Sequence, residues 1–473
     1  MVVISNRAFS VKCLLIGLVM PAYAALRSSK MVGSSPFHDR LNLFAPVDPL
    51  KCSSKPILHD KRSDDHPVLK EYKEHINTWF ETEFLPRRSS GTLKTDPEEM
   101  YITLPNGGNF VFWEQRERDV NSWWANPVFD LSAWYTDDSD KFISIEGSYF
   151  ADPYTWNFIF PDPQHTEMND ETVKLEGDYA IFISGWYGAY QHLLIDHLGY
   201  LVYMSKTLPQ KTRILLPRIG SNDQTFYEII NNVDPELAKR VDFMSCSTIL
   251  ACHRQVFEVQ NGSLKILVPK SSTRHLELLQ MVRSWLWNSP FLLENIVESD
   301  NEKTVIYYTR NSADHKTWAV NARFMDQKEE NLIPRKIEHA LMRYGRKERL
   351  VIYDGHMTFE EQVKLFASAT TVIGAHGGGL ANILFMAPPA NRSDSKCEKR
   401  PKVLEFITGP ETPDVQHGDT FATYFLLYST CPWVELHQVL FTPPSNSQHT
   451  FIDMHAFDSA LKALFSDKYE EDS

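Results

Sequence analysis

Residues 371–386 read TVIGAHGGGLANILFM, a β-branched apolar triplet that runs into four glycines and then into a second apolar stretch. Thr371, Val372 and Ile373 suit a strand buried on both faces of a parallel sheet. Gly374, Gly377, Gly378 and Gly379 let the following backbone turn sharply and approach a ligand with no Cβ in the way. A helix beginning near Leu380 would aim its unpaired N–H groups and the positive end of its dipole over those glycines. The ligand that suits such a place is an anion, above all a diphosphate.

Two familiar motifs come near this loop and fall short. The G-x-G-x-x-G of a dinucleotide site is absent in register, and the loop lies far from any first βαβ unit. An esterase oxyanion loop, HGGG, is literal at residues 376–379, yet the chain has no G-x-S-x-G elbow. The wording resembles the signature of glycosyltransferase family 61, which includes β-1,2-xylosyltransferases and N-acetylglucosaminyltransferases acting on EGF repeats and O-mannose. Those enzymes carry G-x-H-G-A-G-L-x-N-x-x-F; here Gly378 replaces the alanine and Ala381 the usual threonine. Neither change alters the physics of the loop.

With 473 residues and 42% apolar content the chain can build two sizeable cores. Its net charge of -13 and the lack of a basic stripe argue against nucleic acid as a partner, so any phosphate must be held locally. Residues 1–24 read as a signal peptide or short signal anchor: Arg7 and Lys12 precede an apolar run that closes on Ala22-Tyr23-Ala24. The run is too short to cross a bilayer comfortably, so membrane contact is expected only where this segment stays uncleaved. Passage through the secretory pathway, Golgi or ER, fits two acceptor triplets for N-linked glycans, at Asn261 and Asn391. In an oxidising lumen Cys246 with Cys252 and Cys397 with Cys431 are expected bridges, leaving Cys52 over.

Residues 25–95 are polar and weakly periodic and read as a stem. Strand-like stretches at 101–104 and 110–113 flank Pro-Asn-Gly-Gly-Asn, a hairpin signal. From residue 180 strands and helices alternate: strands at 180–184, 214–216 and 265–268, helices at 189–205, 226–233 and 275–287. A second alternation follows, with strands at 305–309, 350–353, 371–373 and 403–407 and helices at about 320–327, 337–343 and 359–368. That repetition predicts a doubly wound parallel sheet whose ligand lies at the carboxyl ends of its strands. A last amphipathic helix after Asp453 puts Phe457, Leu461 and Leu464 on one face.

The expected α/β architecture is therefore an acceptor-side domain at 96–300 with a strand-rich beginning, a donor-binding Rossmann-like domain at 301–440, and a helix with an acidic tail at 441–473. Two Rossmann-like domains facing one another across a cleft are the GT-B fold, which the family resemblance also implies.

His192 and Asp196 stand four apart on the 189–205 helix, with Gly199 beyond them leaving room for a substrate. An imidazole and a carboxylate so placed suit removal of a proton from a hydroxyl, and the segment YQHLLIDHL resembles the family's H-x-x-x-D helix. Arg310 follows the 305–309 strand, where a guanidinium can grip a diphosphate from both sides; the family carries an arginine there and an asparagine at the next helix, matching Arg310 and Asn321. His376 can donate to a phosphate or sugar, Asn382 can bond either, and Glu405 can accept from ribose hydroxyls. Glu361-Gln362 resembles the family's E-Q pair, although a charged helix face explains it equally well.

These residues predict an inverting glycosyltransferase moving a hexose or pentose from a UDP-sugar to a hydroxyl of a glycan or glycoprotein. Inversion and the UDP donor are implied by the resemblance alone. The expected donor set is Arg310, His376, Gly377, Gly378, Gly379, Asn382 and Glu405; the catalytic pair is Asp196 and His192; no metal or other cofactor is expected. Two alternatives stand beside it: a lumenal carbohydrate-binding protein of the same fold, and a metal-dependent GT-A transferase using Asp138 and Asp140 of the D-x-D triplet. The absence of an apolar strand immediately before that triplet favours a solvated turn.

Overall fold

The computed structural model describes residues 55–60, 66–78, 101–104, 109–115, 130–136, 142–145, 172–182, 190, 193–216, 222–243, 256–267, 275–299, 302–309, 325–387, 400–407, 434–442 and 451–466. All lie within one compact unit, Pro46–Ser473. The chain begins with β1 (Ile57–His59) and α1 (Pro67–Thr78), then β2 (Tyr101–Leu104), β3 (Asn109–Gln115), β4 (Asp130–Thr136), β5 (Phe142–Ile145), β6 (Thr172–Glu176) and β7 (Tyr179–Phe182). A π-helix, Leu193–His197, leads into α2 (Leu198–Thr207), β8 (Arg213–Leu216), α3 (Asn222–Val233), α4 (Pro235–Ala238) and β9 (Val241–Phe243). Strands β10 (Val256–Gln260) and β11 (Leu264–Leu267) precede α5 (His275–Trp287) and α6 (Pro290–Ser299). The later half runs β12 (Thr304–Tyr308), α7 (Gln327–Arg343), β13 (Arg349–Tyr353), α8 (Phe359–Ser368) and β14 (Ala369–Ala375). A 3₁₀ helix, Gly378–Phe385, is followed by β15 (Lys402–Ile407), β16 (Glu435–Thr442), β17 (Phe451–Ile452) and α9 (Met454–Phe465).

The later half is the doubly wound sheet that the alternation predicts. Its order is β13-β12-β14-β15-β16-β1, parallel throughout, with β17 antiparallel against β16. Counted from β12, the first five strands stand in the order 2-1-3-4-5, so the winding reverses between β12 and β14. Val305, Ile306, Val372, Ile373, Val403 and Leu404 are fully buried, as covered parallel strands demand. On one face α7 and α9 close over the sheet, and Phe457, Leu461 and Leu464 enter one core with Val305, Tyr307, Ile373 and Leu404.

Local chemistry sets the helix ends. Asp453 accepts from the amides of His455 and Ala456 to start α9. Helix α7 ends in a Schellman motif: Gly345 takes φ 66, and the Arg346 amide reaches back to the Leu341 carbonyl at 2.9 Å. This helix starts at Gln327, well before the expected 337, and runs through Pro334. Burial of Ile333 and Ile337 on either side offsets the hydrogen bond that the proline removes.

Three expectations need correction. Residues 55–60 and 67–78 fall in the expected stem, yet β1 is a strand of the main sheet, pairing with β16 through Ile57–His437 to His59–Val439. The hairpin at 101–113 does not form: β2 pairs antiparallel with β11 in one five-stranded sheet, and β3 with β10 and β4 in another. The two strands share one partner, the ribbon β10–β11, along which they follow one another from sheet to sheet. On its other side β6–β7 runs parallel to the same ribbon. Both ribbons bend at one place, where Gly177 has φ 96 and Asn261 φ 54, and a Cβ on Gly262 would lie 2.1 Å from the Gly177 carbonyl carbon. The third correction concerns the helix after the glycines, which is 3₁₀ and begins at Gly378.

Candidate functional site

The reversal between β12 and β14 opens a crevice at the carboxyl ends of the strands, where doubly wound sheets take their ligands. Strand β14 delivers His376, Gly377, Gly378 and Gly379 to that crevice, and β12 ends beside it at Tyr308 and Thr309. The His376 amide still bonds the Phe406 carbonyl at 2.9 Å, extending the ladder one residue past β14. Gly377 then takes φ 157 and ψ 180, a conformation essentially reserved for glycine. The Leu380 amide makes the first bond of the 3₁₀ helix, to Gly377 O at 3.0 Å. The amides of Gly378 and Gly379 therefore precede the first helical bond and have no acceptor within the helix.

Close packing explains the glycines under the loop. A Cβ on Gly379 would lie 2.4 Å from the Tyr308 ring, and one on Gly374 2.8 Å from Tyr308 Cβ. The loop thus rests on the aromatic ring that ends β12. Gly378 differs, since a Cβ there would find nothing nearer than Tyr190 Cδ1 at 3.9 Å.

His376 is 7% exposed, and its Nδ1 lies 2.8 Å from Oε1 of the fully buried Glu405. The other carboxylate oxygen, Oε2, accepts from Gln438 Nε2 at 3.1 Å. Nδ1–H donating to the carboxylate fixes the ring and leaves Nε2 as its second functional nitrogen. Glu405, expected to meet ribose hydroxyls, faces inward and orients the imidazole instead.

Asn382 is also wholly enclosed. Its Oδ1 accepts from Tyr190 Oη at 2.6 Å, and its Nδ2 donates to Tyr353 Oη and to Gln362 Oε1, each at 3.0 Å. Tyr353 Oη donates to Gln362 Oε1 at 2.9 Å, and Gln362 Nε2 to the Met357 carbonyl at 2.8 Å. Both amide hydrogens of Asn382 are committed inside the protein, so its side chain braces the loop from beneath. Glu361 and Gln362 have separate tasks: Glu361 closes a capping box with Thr358 at the start of α8, while Gln362 joins the brace.

Among the remaining expected site residues, His192, Arg310, Asn321, Asn391, Asp138 and Asp140 lie outside the described residues, as do the cysteines and the amino-terminal segment. Asp196 falls in the π-helix Leu193–His197, where a regular α-helix was expected. Single π turns inside α-helices recur at functional sites. Asn261 is exposed, and its Nδ2 donates to Glu176 Oε1 at 2.7 Å. Among the described residues no three His, Cys, Asp or Glu side chains are grouped as metal ligands, and no helix is long and apolar enough to cross a membrane.

The stretch carrying both the π-helix and the glycine loop, residues 190–391, matches the family model described as Glycosyltransferase 61. Residues 190–391 belong to glycosyltransferase family 61. The chain is accordingly a glycosyltransferase, working between a sugar donor and an acceptor. No curated protein matches it significantly. Among solved structures it is similar to the dodecameric iron-containing heptosyltransferase TibC in complex with ADP-D-β-D-heptose, at 10% identity over 61% of this chain and 73% of that one, TM-score 0.24. A second TibC structure, from enterotoxigenic E. coli H10407, is 10% identical over 74% of this chain and 83% of that one, TM-score 0.26. Likenesses this slight carry no argument about the glycosyltransferase's donor or mechanism.

Sequence reasoning missed Tyr190 and Tyr353. Tyr190 opens the YQHLLIDHL segment and Tyr353 ends β13, and their nearness to Asn382 is a product of the fold alone.

Proposed function

We propose that this glycosyltransferase moves a sugar, with inversion, from a UDP-sugar to a hydroxyl of a glycan or glycoprotein in the lumen of the secretory pathway, within a GT-B arrangement. The observation that carries the reading is the oriented His376–Glu405 pair beside the Gly378 and Gly379 amides, which precede the first bond of the 3₁₀ helix, at the reversal point of a doubly wound sheet. That combination suits a diphosphate that gains charge as it leaves. The amides donate to its oxygens, His376 Nε2 bonds a phosphate or the sugar, and Arg310, which follows Thr309 in the sequence, supplies fixed positive charge. Asp196, with His192 four residues before it in the sequence, takes the proton of the acceptor hydroxyl as its oxygen attacks C1 and the bond from C1 to the diphosphate breaks.

A panel of UDP-sugars, assayed for hydrolysis and for thermal stabilisation with and without EDTA, tests this directly. One UDP-sugar should be turned over and should stabilise the protein in EDTA. Loss of binding on chelation and its return with manganese would move the donor site to Asp138 and Asp140. Asp196→Asn should retain UDP binding and lose transfer by roughly 10²- to 10⁴-fold, the worth of a general base. Transfer within threefold of wild type would remove Asp196 from that role.

A further inference from the structure

The brace under the glycine loop is assembled from two parts of the chain. Asn382 belongs to the loop's own helix, and Tyr353 and Gln362 come from β13 and α8 of the same sheet half. Tyr190 comes from far earlier, three residues before the π-helix that carries Asp196. It is the one member of the brace contributed by residues preceding β12.

We propose that Tyr190 is a positioning residue for the donor loop: its hydroxyl holds Asn382, keeps the Gly378 and Gly379 amides aimed into the crevice, and ties that loop to the helix bearing Asp196. This rests on reading the loop as the donor site. The geometry leaves Asn382 no spare group, since its carbonyl oxygen takes the Tyr190 proton and both amide hydrogens are held by Tyr353 and Gln362. The Tyr190 ring lies alongside the loop, 3.9 Å from where a Cβ of Gly378 would stand. Burial, with the Tyr353 phenol close by, pushes the Tyr190 hydroxyl well above its ordinary value against the opposing pull of Asn382. The group therefore stays a proton donor throughout the working pH range. A phenylalanine would fill the same space and leave Asn382 Oδ1 without the donor that fixes its orientation.

Tyr190→Phe in the full chain tests the proposal by amide hydrogen exchange across residues 371–386 in the free protein and by calorimetric titration with UDP. Exchange over residues 377–386 should quicken about tenfold while β12 and β15 keep their wild-type rates, and the Kd for UDP should rise about tenfold. The double variant Tyr190→Phe, Asn382→Leu removes the stranded acceptor and so separates stability from positioning. It should melt closer to wild type yet keep the fast loop and the weak UDP binding. Wild-type loop exchange in the folded Tyr190→Phe protein, or in the double variant where the single one does not fold, would overturn the proposal. Fast loop exchange in a chain whose wild-type form does not bind UDP would uphold Tyr190 as the loop's brace and remove the reading of that loop as a UDP site.

Discussion

Gly378 and Gly379 are neighbours of one residue type with opposite duties. A methyl group on Gly379 would press into the Tyr308 ring at 2.4 Å, whereas one on Gly378 would have room. Gly379→Ala should therefore lower stability by about 1–3 kcal/mol, the cost of overpacking a tight site, and Gly378→Ala should melt like wild type. Equal melting of the two variants would show that the loop does not lie on Tyr308. Glu405 makes a complementary case, since its fully buried carboxylate holds His376 Nδ1 at 2.8 Å. Glu405→Gln keeps the shape but loses the charge that fixes the imidazole tautomer. Transfer should fall roughly tenfold or more with little change in melting temperature, and an unchanged rate would make the pair a packing feature.

At the scale of elements, β1 is the informative one, a three-residue strand that closes the edge of the main sheet. His59 Nε2 lies 2.9 Å from His437 Nδ1, and His437 Nε2 lies 2.6 Å from Glu435 Oε1. His437 stands between them, bonded to His59 through Nδ1 and to the Glu435 carboxylate through Nε2. Donation from His437, the stronger cause, and the nearby Lys402 and Arg400 hold Glu435 down at about 2 against burial. Burial first, and His437 second, press His59 from its ordinary 6.5 down to about 4. A depressed histidine is neutral in the folded chain and takes its proton on unfolding. Its contribution is therefore whole above pH 6.5 and is lost as the pH falls toward about 4. Melting temperature should drop across that window, and His59→Gln should flatten the slope. An identical slope in the variant would assign the acid sensitivity to other groups.

Across the whole molecule, the helix of the glycine loop is fastened along its length by the earlier half of the chain. Tyr190 bonds Asn382 at 2.6 Å, Trp287 Nε1 donates to the Leu384 carbonyl at 3.0 Å, and Arg283 donates to the Met386 carbonyl at 2.8 Å. The Arg283 guanidinium also lies 4.1 Å from the Trp287 ring centre. Phe291 of α6 stacks on Phe359 of α8 with ring centres 5.8 Å apart. These links predict a single calorimetric unfolding transition for the two halves. Trp287→Phe, which strands the buried Leu384 carbonyl, should lower stability by about 1–3 kcal/mol without splitting that transition. Two resolved transitions in the wild-type chain would mean that the halves unfold independently.

Sequence periodicity and end chemistry were enough for what neighbours along the chain decide. The strands around 305, 350, 372 and 404, the Gly345 stop of α7 and the buried face of α9 each depend on residues a few positions apart. The glycine run could likewise be read as a close backbone approach to a ligand at a strand end. Choice of partner could not, because it depends on which distant surfaces meet. Nothing near Ile57 announces that it will pair with His437, and a turn-like Pro-Asn-Gly-Gly-Asn cannot disclose that β2 and β3 share the β10–β11 ribbon. The inward aim of Glu405 and Asn382 belongs to the same class. A carboxylate or amide beside a crevice can face solvent or protein with the same local sequence, and the hydrogen bonds offered by His376, Gln438, Tyr190, Tyr353 and Gln362 decided it.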